Sequence, residues 1–289
     1  ALKRARIIPL YKGGSRLKAS NYRPIALTCH IAKAFERVIK NALLSHLENN
    51  NYLNPRQHGF RPGRSTLSQL IEHTEKILEG LEDGGVVDVV YLDYAKAFDK
   101  VDLGILMNSL KRCGIVGKVG VWLFHFLHNR MQYVSANGAE SAPTQVISGV
   151  PQGTVLGPLL FLVLLGTIDE GIISSFASSF ADDTKLVHVT RNEEDAVAFQ
   201  ADLDAVYTWT TNVNMKLNGS KFQLLRYGDD DELKANTKYL DSDGNAITET
   251  NHAKDLGIIM SSDGKYNEHI DKLSHTARSM CSWILRTFF

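Results

Sequence analysis

Residues 173–190, ISSFASSFADDTKLVHVT, set two adjacent carboxylates, Asp182 and Asp183, between two apolar runs. Asp is a poor strand residue, and like charges side by side repel. The pattern predicts a strand, a turn at the two aspartates and a second strand. A second stretch narrows the choice. GGVVDVVYLDYAKAFDKVD, residues 84–102, opens as a turn and continues as a β-branched run that stops at Asp93, before a helical AKAFD. That run predicts a buried strand. A carboxylate ending a buried strand is costly unless it is paired or bound to a cation. If the 173–190 hairpin packs beside this strand, Asp93, Asp182 and Asp183 converge. Such a cluster demands counter-charge. Magnesium suits it, being a hard cation with oxygen ligands that is usually completed by waters and substrate phosphates. Two such ions roughly 3.5–4 Å apart stabilise the attacking and leaving oxygens of an in-line displacement at phosphorus. Taken alone, an Asp-Asp pair at a turn is usually a solvated turn.

The remaining chain mixes both kinds of element. ARIIPLYK (5–12) and NYRPIAL (21–27) read as short strands, the second marked by Pro24 as an edge strand. Ile31, Phe35, Val38, Ile39, Ala42, Leu43 and Leu47 recur at helical spacing over 29–49. NPRQHGFRPGRST (54–66) reads as a loop, followed by a helix over 66–82 capped by Ser65 or Thr66. Residues 103–130 predict two helices broken at Gly114 to Gly120, and residues 130–149 a hairpin around Asn137-Gly138. Residues 155–168 predict a buried helix, and 193–215 a helix with an apolar stripe of Val197, Leu203, Val206 and Trp209. SKFQLLRYG and AKDLGIIMSS predict further strands, and 266–289 a final amphipathic helix. Without regular βα alternation, the fold class expected is α+β.

Charge is balanced, 32 Lys and Arg against 32 Asp and Glu, so net charge names no partner. Its distribution is uneven. Residues 1–64 carry thirteen Lys and Arg against only Glu36 and Glu48, whereas residues 169–255 carry 17 acids and 8 bases. This suits a protein that holds a polyanion at one place and cations at another, or simply an uneven solvated surface. Cys29, Cys113 and Cys281 form no CxxC, which speaks against a disulfide scaffold or a cysteine metal site. No signal peptide is visible, and the most apolar run, VLGPLLFLVLLG, is too short to span a bilayer. No membrane partner is expected. The chain opens without Met and is expected to be a fragment of something longer.

YLDYAKAFDKVD, SGVPQGTVLGPLLF and FADDTKL, in that order, resemble motifs A, B and C of reverse transcriptases. PLYKGG with NYRPIAL resembles the first fingers motifs, and HGFRPGRST the segment that follows them in non-LTR (LINE-type) retrotransposons. MKLNGSKFQLLRYG resembles motif D, and KDLGIIMSSDGKYNEHI motif E, the primer grip. The resemblance covers about residues 5 to 270, and FADD with KAFDKVD and HGFRPGRS is similar to Jockey or CR1-type elements. It implies a right-hand polymerase, with fingers and palm over 1–261 and the primer-grip end and start of a thumb over 262–289. The fingers would take about 1–86 and 104–152, and the palm, an antiparallel sheet backed by helices, about 87–103 and 153–261. The implied activity is RNA-directed DNA polymerisation, adding dNTPs to a primer 3′-OH by two-metal phosphoryl transfer. The implied cofactor is two Mg2+ ions, with Mn2+ as a substitute. The implied partners are an RNA template, a DNA primer, dNTPs and the element RNA as a ribonucleoprotein. The implied location is intracellular, in cytoplasm and nucleus.

The resemblance also implies roles for individual residues. Asp93 and Asp182 would bridge the metals, the Tyr94 carbonyl would add a ligand, and Asp183 would complete the site. Phe98 takes the position of a steric gate that crowds a ribose 2′-OH; without the family it reads equally as core. Lys12 and Arg23 match residues that grip the incoming triphosphate, and Gln152 matches the motif B Gln near the nucleotide sugar. Gly149, Gly153 and Gly157 would let the backbone approach template and nucleotide. Lys221 matches the motif D lysine, a general acid for departing pyrophosphate. Arg56, Arg61 and Arg64 are candidates for template-backbone contacts. His58 and His188 read as structural. One segment departs from the family: LLGTIDEGIISSFASSF lacks the usual Asn and looks partly duplicated, which predicts altered packing ahead of motif C. The rival reading is a decayed relic that binds nucleic acid without turnover. A third is another lineage, such as a group II intron protein or telomerase.

Overall fold

A computed structural model describes residues 3–288. The chain opens with β1 (Arg4–Tyr11), β2 (Tyr22–Leu27), α1 (His30–Asn49) and α2 (Thr66–Glu82). There follow β3 (Val86–Leu92), the single turn α3 (Ala97–Lys100), α4 (Leu103–Arg112) and α5 (Gly117–Leu127). Next come β4 (Arg130–Ala136), β5 (Ala139–Glu140), β6 (Thr144–Val146) and α6 (Gly157–Leu165). Then β7 (Phe176–Phe180), β8 (Asp183–Thr190), α7 (Glu193–Asn212) and β9 (Gln223–Tyr227). The chain ends with α8 (Asp231–Asn236), β10 (Thr248–Glu249), β11 (His252–Asp255), β12 (Ile258–Ser261) and α9 (Asn267–Phe288). The α+β class holds, and contacts divide the chain into two compact units.

The first unit holds residues 1–62, 94–170 and 206–217. Its sheet runs β2-β1-β4-β5, with β6 also on β4. β2 is an edge strand, where Pro24 removes no ladder donor. The 130–149 hairpin is present, but its first strand also pairs parallel with β1, a long-range contact that local turn chemistry does not signal. α6 is buried on every side, as its unbroken apolar run requires. The break between α4 and α5 is narrower than expected, because α5 begins at Gly117 and contains Gly120.

The second unit holds residues 63–93, 171–205 and 218–289. Its sheet runs β10-β9-β3-β8-β7, antiparallel except where β10 joins β9. β3 is central, so both of its edges are paired, and residues on both of its faces are buried. One face carries Val87 and Val89, packed with Val187, Leu225, Tyr227, Ile77 of α2, and Ala253 and Met260 of the β11–β12 hairpin. α2 enters on a capping box in which Ser65 and Ser68 exchange hydrogen bonds. AKDLGIIMSS folds as this β11–β12 hairpin rather than one strand, because Leu256 and Gly257 take positive φ.

The other face of β3 carries Asp88, fully buried in the middle of an apolar run. Its register partner Arg226 donates from Nε to Asp88 Oδ1 at 2.7 Å and from Nη2 to Oδ2 at 3.3 Å. Thr190 Oγ1 donates to Oδ2 at 2.7 Å, and the Tyr239 hydroxyl donates to the same oxygen. Arg226 also donates to the Lys234 and Thr237 carbonyls. A buried ion pair is tolerated when its remaining donors and lone pairs are satisfied in this way. The buried face of α7 includes Phe199, Leu203 and Val206, whereas Val197 is 70% exposed, which corrects one position of the expected stripe. α9 has no buried residue among those described, and none of the described helices is long and apolar enough to cross a membrane.

Candidate active site

In the second unit, β7 and β8 are joined by the two-residue turn Ala181-Asp182, with Phe180 opposite Asp183. Ala181 is left-handed at φ 57°, as tight hairpin turns of this kind require. Asp183 therefore opens β8 instead of sharing the tip with Asp182. Leu92 pairs with Thr184, which brings Asp93, the next residue after β3, beside Asp183. Asp93 and Asp183 line one cleft of about 370 Å³, together with Lys185, Lys221 and Asp255. The protein strips water from part of the Asp183 carboxyl, and Asp182, Asp255 and Asp93 add negative charge. Together these push it up to about 6, against the pull of Lys185. The Asp93 carbonyl accepts from the Asn218 amide at 2.9 Å. The 3-10 turn Gly219–Lys221 then brings Lys221 Nζ to 3.1 Å from Asp93 Oδ2.

Of the three expected carboxylates, Asp93 and Asp183 line this cleft and Asp182 does not; Asp255 is the third carboxylate there. Asp182 acts on Asp183 from the turn, and no group of three His, Cys, Asp or Glu among the described residues is placed as a ready metal cage. A magnesium ion fits the pair that is present, since it commonly takes one or two protein carboxylates and completes its shell with water and phosphate. The mutual repulsion felt by Asp183 is what a cation there would relieve. Tyr94 is buried and bridged to Leu217, which anchors the chain directly after Asp93.

Beside these carboxylates lies a polar knot that the sequence reading missed. Lys185 Nζ, on β8, donates to Asp255 Oδ2 at the end of β11, and both side chains are at most 5% exposed. His73 Nε2 of α2 is 3.8 Å from the same oxygen, and the Tyr91 hydroxyl of β3 is 3.3 Å from His73 Nε2. Burial, and then the nearby Lys185 charge, hold His73 well below the usual imidazole range, so it is neutral. The available signal was weak: Lys185 stands in the strand pattern TKLV, but Asp255 follows another charge, Lys254, in KDLG.

The first unit carries the other expected residues. Lys12 and Arg23 stand at one end of the β1–β2 ladder, where the Lys12 amide donates to the Asn21 carbonyl. Both act electrostatically on Asp99, whose carboxyl burial pushes up, while Gln152 Nε2 donates to it at 3.1 Å. Asp99 is thus a hub that the sequence reading passed over, although it lies inside KAFDKVD. Phe98 is half-buried, stacked on Phe161 at 4.2 Å between centroids and edge-on to Phe60 at 6.2 Å. Gly153 has φ +103°, and a Cβ there would stand 2.6 Å from the Ala26 carbonyl oxygen. A Cβ at Gly149 would likewise meet the Asp99 backbone at 2.8 Å. These glycines permit close approach to the chain's own backbone, a different reason from the one expected.

Arg61 is also corrected. Its Nε and Nη2 grip Glu48 at 3.0 and 2.5 Å, and Nη1 donates to the Asn54 carbonyl at 2.6 Å. The guanidinium is a strut that ties its loop to α1, not a donor held out for a template. Arg56 and Arg64 are half-buried in the same stretch of sequence. His58 and His188 are buried, and His188 stacks on Phe199, as a structural role requires. The departing segment before β7 is well tied down: Asp202 accepts from the Ile173 and Ser174 amides and from both the Ser174 and Ser175 hydroxyls.

A profile of the reverse transcriptase (RNA-dependent DNA polymerase) family matches residues 11–260. A probable RNA-directed DNA polymerase from transposon BS of Drosophila melanogaster is 28% identical over 282 residues, covering 93% of this chain and 30% of that protein. The RNA-directed DNA polymerase from mobile element jockey of Drosophila funebris is 28% identical over 293 residues, covering 97% of this chain and 32% of that protein. The chain thus spans about a third of the length of these relatives. Apo telomerase from Candida tropicalis superposes with a TM-score of 0.62 at 11% identity, over 92% of this chain and 55% of that one. At that identity the likeness shows the fold alone, the right-hand polymerase fold.

Proposed function

Because the chain belongs to the reverse transcriptase (RNA-dependent DNA polymerase) family, we propose that it is the polymerase core of a non-LTR retrotransposon protein. In this reading it adds dNTPs to a primer 3′-OH on an RNA template. The observation that carries the proposal is the placement of Asp93 and Asp183, from separate segments, at one cleft with Lys221. Asp93 and Asp183 would hold the divalent ions, two Mg2+ with Mn2+ as a substitute, and Asp182 would add charge from the turn. When bound, those ions supply Lewis-acid stabilisation of the attacking and leaving oxygens. Lys221 Nζ holds a proton for the departing pyrophosphate. Lys12 and Arg23 supply positive charge for the triphosphate. Asp99 orients the Gln152 amide, and the Phe98 ring, braced by Phe161, limits room for a 2′-hydroxyl. Arg56 and Arg64 remain the loop's candidates for phosphate contact. The fingers, palm and thumb ranges, the template, primer and ribonucleoprotein partners, and a cytoplasmic and nuclear location all belong to this same proposal.

The test is primer extension with Mg2+ on poly(rA)/oligo(dT). The wild-type chain extends, whereas Asp93→Ala and Asp183→Ala do not, at unchanged melting temperature or above. Extension by either variant at the wild-type rate would rule out the assigned site. Binding of the hybrid by the wild-type chain without extension would favour the non-catalytic reading instead.

A further inference from the structure

Lys185 is a buried cation that lines the same cleft as the carboxylate pair. It follows Asp183 by two residues on β8, so both side chains leave the same face of the strand. Two residues of strand separate their Cα atoms by roughly 6.6–6.8 Å, within the reach of a four-carbon stem. Lys185 is also the register partner of Tyr91, which precedes Asp93 by two residues on β3. The Lys185 side chain lines the same cleft as both carboxylates. Burial is the larger influence on each, raising the Asp183 carboxyl and lowering the Lys185 ammonium, and each group partly offsets that effect on the other. Yet the ammonium donates to Asp255, on a different hairpin, and both side chains are nearly inaccessible to water. His73, kept neutral, flanks the same Asp255 oxygen and adds no charge of its own. Glu72 on α2 also attracts Lys185, on the side of the second unit that α2 covers.

We propose that Asp255 is a positioning residue for the carboxylate pair: it holds the Lys185 ammonium away from Asp183, so that Asp183 stays open to a cation shared with Asp93. The proposal rests on the reading of Asp93 and Asp183 as the cation-binding pair. With Asp255 neutralised, the buried ammonium loses its counter-ion. It must then turn to the nearest remaining carboxylates, Asp183 among them, because a buried charge without a partner is costly. An ammonium at Asp183 competes directly with a divalent ion. The Lys185–Asp255 pair is nearly neutral seen from outside, so removing both charges together leaves the carboxylates as they were.

The experiment follows Mn2+ binding to the chain by loss of the free-ion EPR signal. It runs alongside primer extension over a range of Mg2+ concentrations and thermal melts. Asp255→Asn is expected to weaken Mn2+ binding, and to raise the Mg2+ needed for half-maximal extension, by roughly tenfold or more, the scale of one unit charge acting over a few ångströms. Adding Lys185→Met to Asp255→Asn returns both values close to wild type, and Asp255→Glu, which keeps the counter-charge, stays near wild type. A merely structural role predicts the opposite ordering, with the double variant no better than Asp255→Asn. That result, or wild-type Mn2+ affinity in Asp255→Asn, overturns the proposal. If the melts show Asp255→Asn unfolded, the fully apolar pair Lys185→Met/Asp255→Leu decides: retained Mn2+ affinity supports the proposal and lost affinity overturns it. A wild-type chain that binds Mn2+ but never extends would sink the polymerase reading while leaving the binding series decisive. A chain that extends without the predicted ordering would sink this inference alone.

Discussion

Lys221 Nζ lies 3.1 Å from Asp93 Oδ2, an ion pair between a short turn and the residue that ends β3. Both side chains are well exposed, at 63% and 39%, so the pair contributes at most about 1 kcal/mol and is easily parted. A lysine that holds an aspartate this loosely can leave it when a phosphate arrives. Lys221→Ala is therefore expected to leave the melting temperature within a degree or two of wild type, following the small surface-pair energy. The same change should slow single-turnover nucleotide addition by about 100-fold or more, the usual contribution of a general acid. Unchanged addition kinetics would remove Lys221 from the mechanism.

The Asp88–Arg226 pair behaves differently because it is buried. Asp88→Ala removes the buried carboxylate from the Arg226 guanidinium, leaving it the Lys234 and Thr237 oxygens and, at 3.8 Å, the half-exposed Glu249, and should destabilise the fold by about 3–5 kcal/mol. The paired change Asp88→Leu/Arg226→Met should cost clearly less than the single one. Urea denaturation of the two variants compares them directly, and equal losses would show that charge imbalance is not the cause.

Arg61→Ala should act on folding and hardly on nucleic-acid binding. The side chain is 10% exposed and makes three hydrogen bonds, two to Glu48 of α1 and one to the Asn54 carbonyl in its own loop, so its loss should cost about 1–3 kcal/mol. In fluorescence-anisotropy titrations of an RNA–DNA hybrid, the slope of log affinity against log salt should change by less than the ~0.7–0.9 expected for one lost phosphate contact. Arg64→Ala is the comparison; a full unit lost in Arg61→Ala would return it to the template path.

Asp202 sets a pH limit on the second unit. Burial alone would raise its carboxyl, but the Ile173 amide, the Ser174 and Ser175 hydroxyls and the Ser174 amide together hold it below the usual carboxylate range. A depressed acid contributes stability that is present above its unfolded pKa, near 3.9, and lost as pH falls through its lower folded value. Asp202→Asn should therefore destabilise by about 1–3 kcal/mol at neutral pH, because an amide cannot accept all four bonds. The gap between variant and wild type should begin to narrow below about pH 4. Melts across pH 3–7 measure it, and a constant gap would contradict the assignment.

Phe98→Val should raise ribonucleotide incorporation relative to deoxyribonucleotide in a competitive assay on one template. It should also lower stability by about 1 kcal/mol through the lost stack on Phe161. Lower stability with an unchanged incorporation ratio would make Phe98 a packing residue only.

The features legible in the sequence are those where a local rule and the burial pattern coincide. Asp93 and the 173–190 hairpin stand out because charge interrupts β-branched runs, and Ser65 because a cap must precede an apolar helix. The turn register did not follow, since two aspartates in a row do not say which of them enters the strand; the left-handed Ala181 decides that. Val197 was misplaced because a helix's buried side depends on what covers it. The buried pairs Asp88–Arg226 and Lys185–Asp255 join distant segments. Asp88 and Arg226 were nonetheless each visible as a lone charge in an apolar strand pattern, whereas Lys185 and Asp255 are masked by their charged neighbours Asp183 and Lys254.

The central place of β3 also bears on how the protein is made. Its two neighbours, β8 and β9, are translated long after it, so a growing chain carries VVDVVYL with no strand to pair with on either side. Such a segment is sticky, and nascent chains that must wait for distant partners are exposed to aggregation. Asp88, in the middle of that run, is then a guard during synthesis before it becomes half of a salt bridge: a charge that keeps the naked strand from pairing with the wrong neighbour until Arg226 arrives.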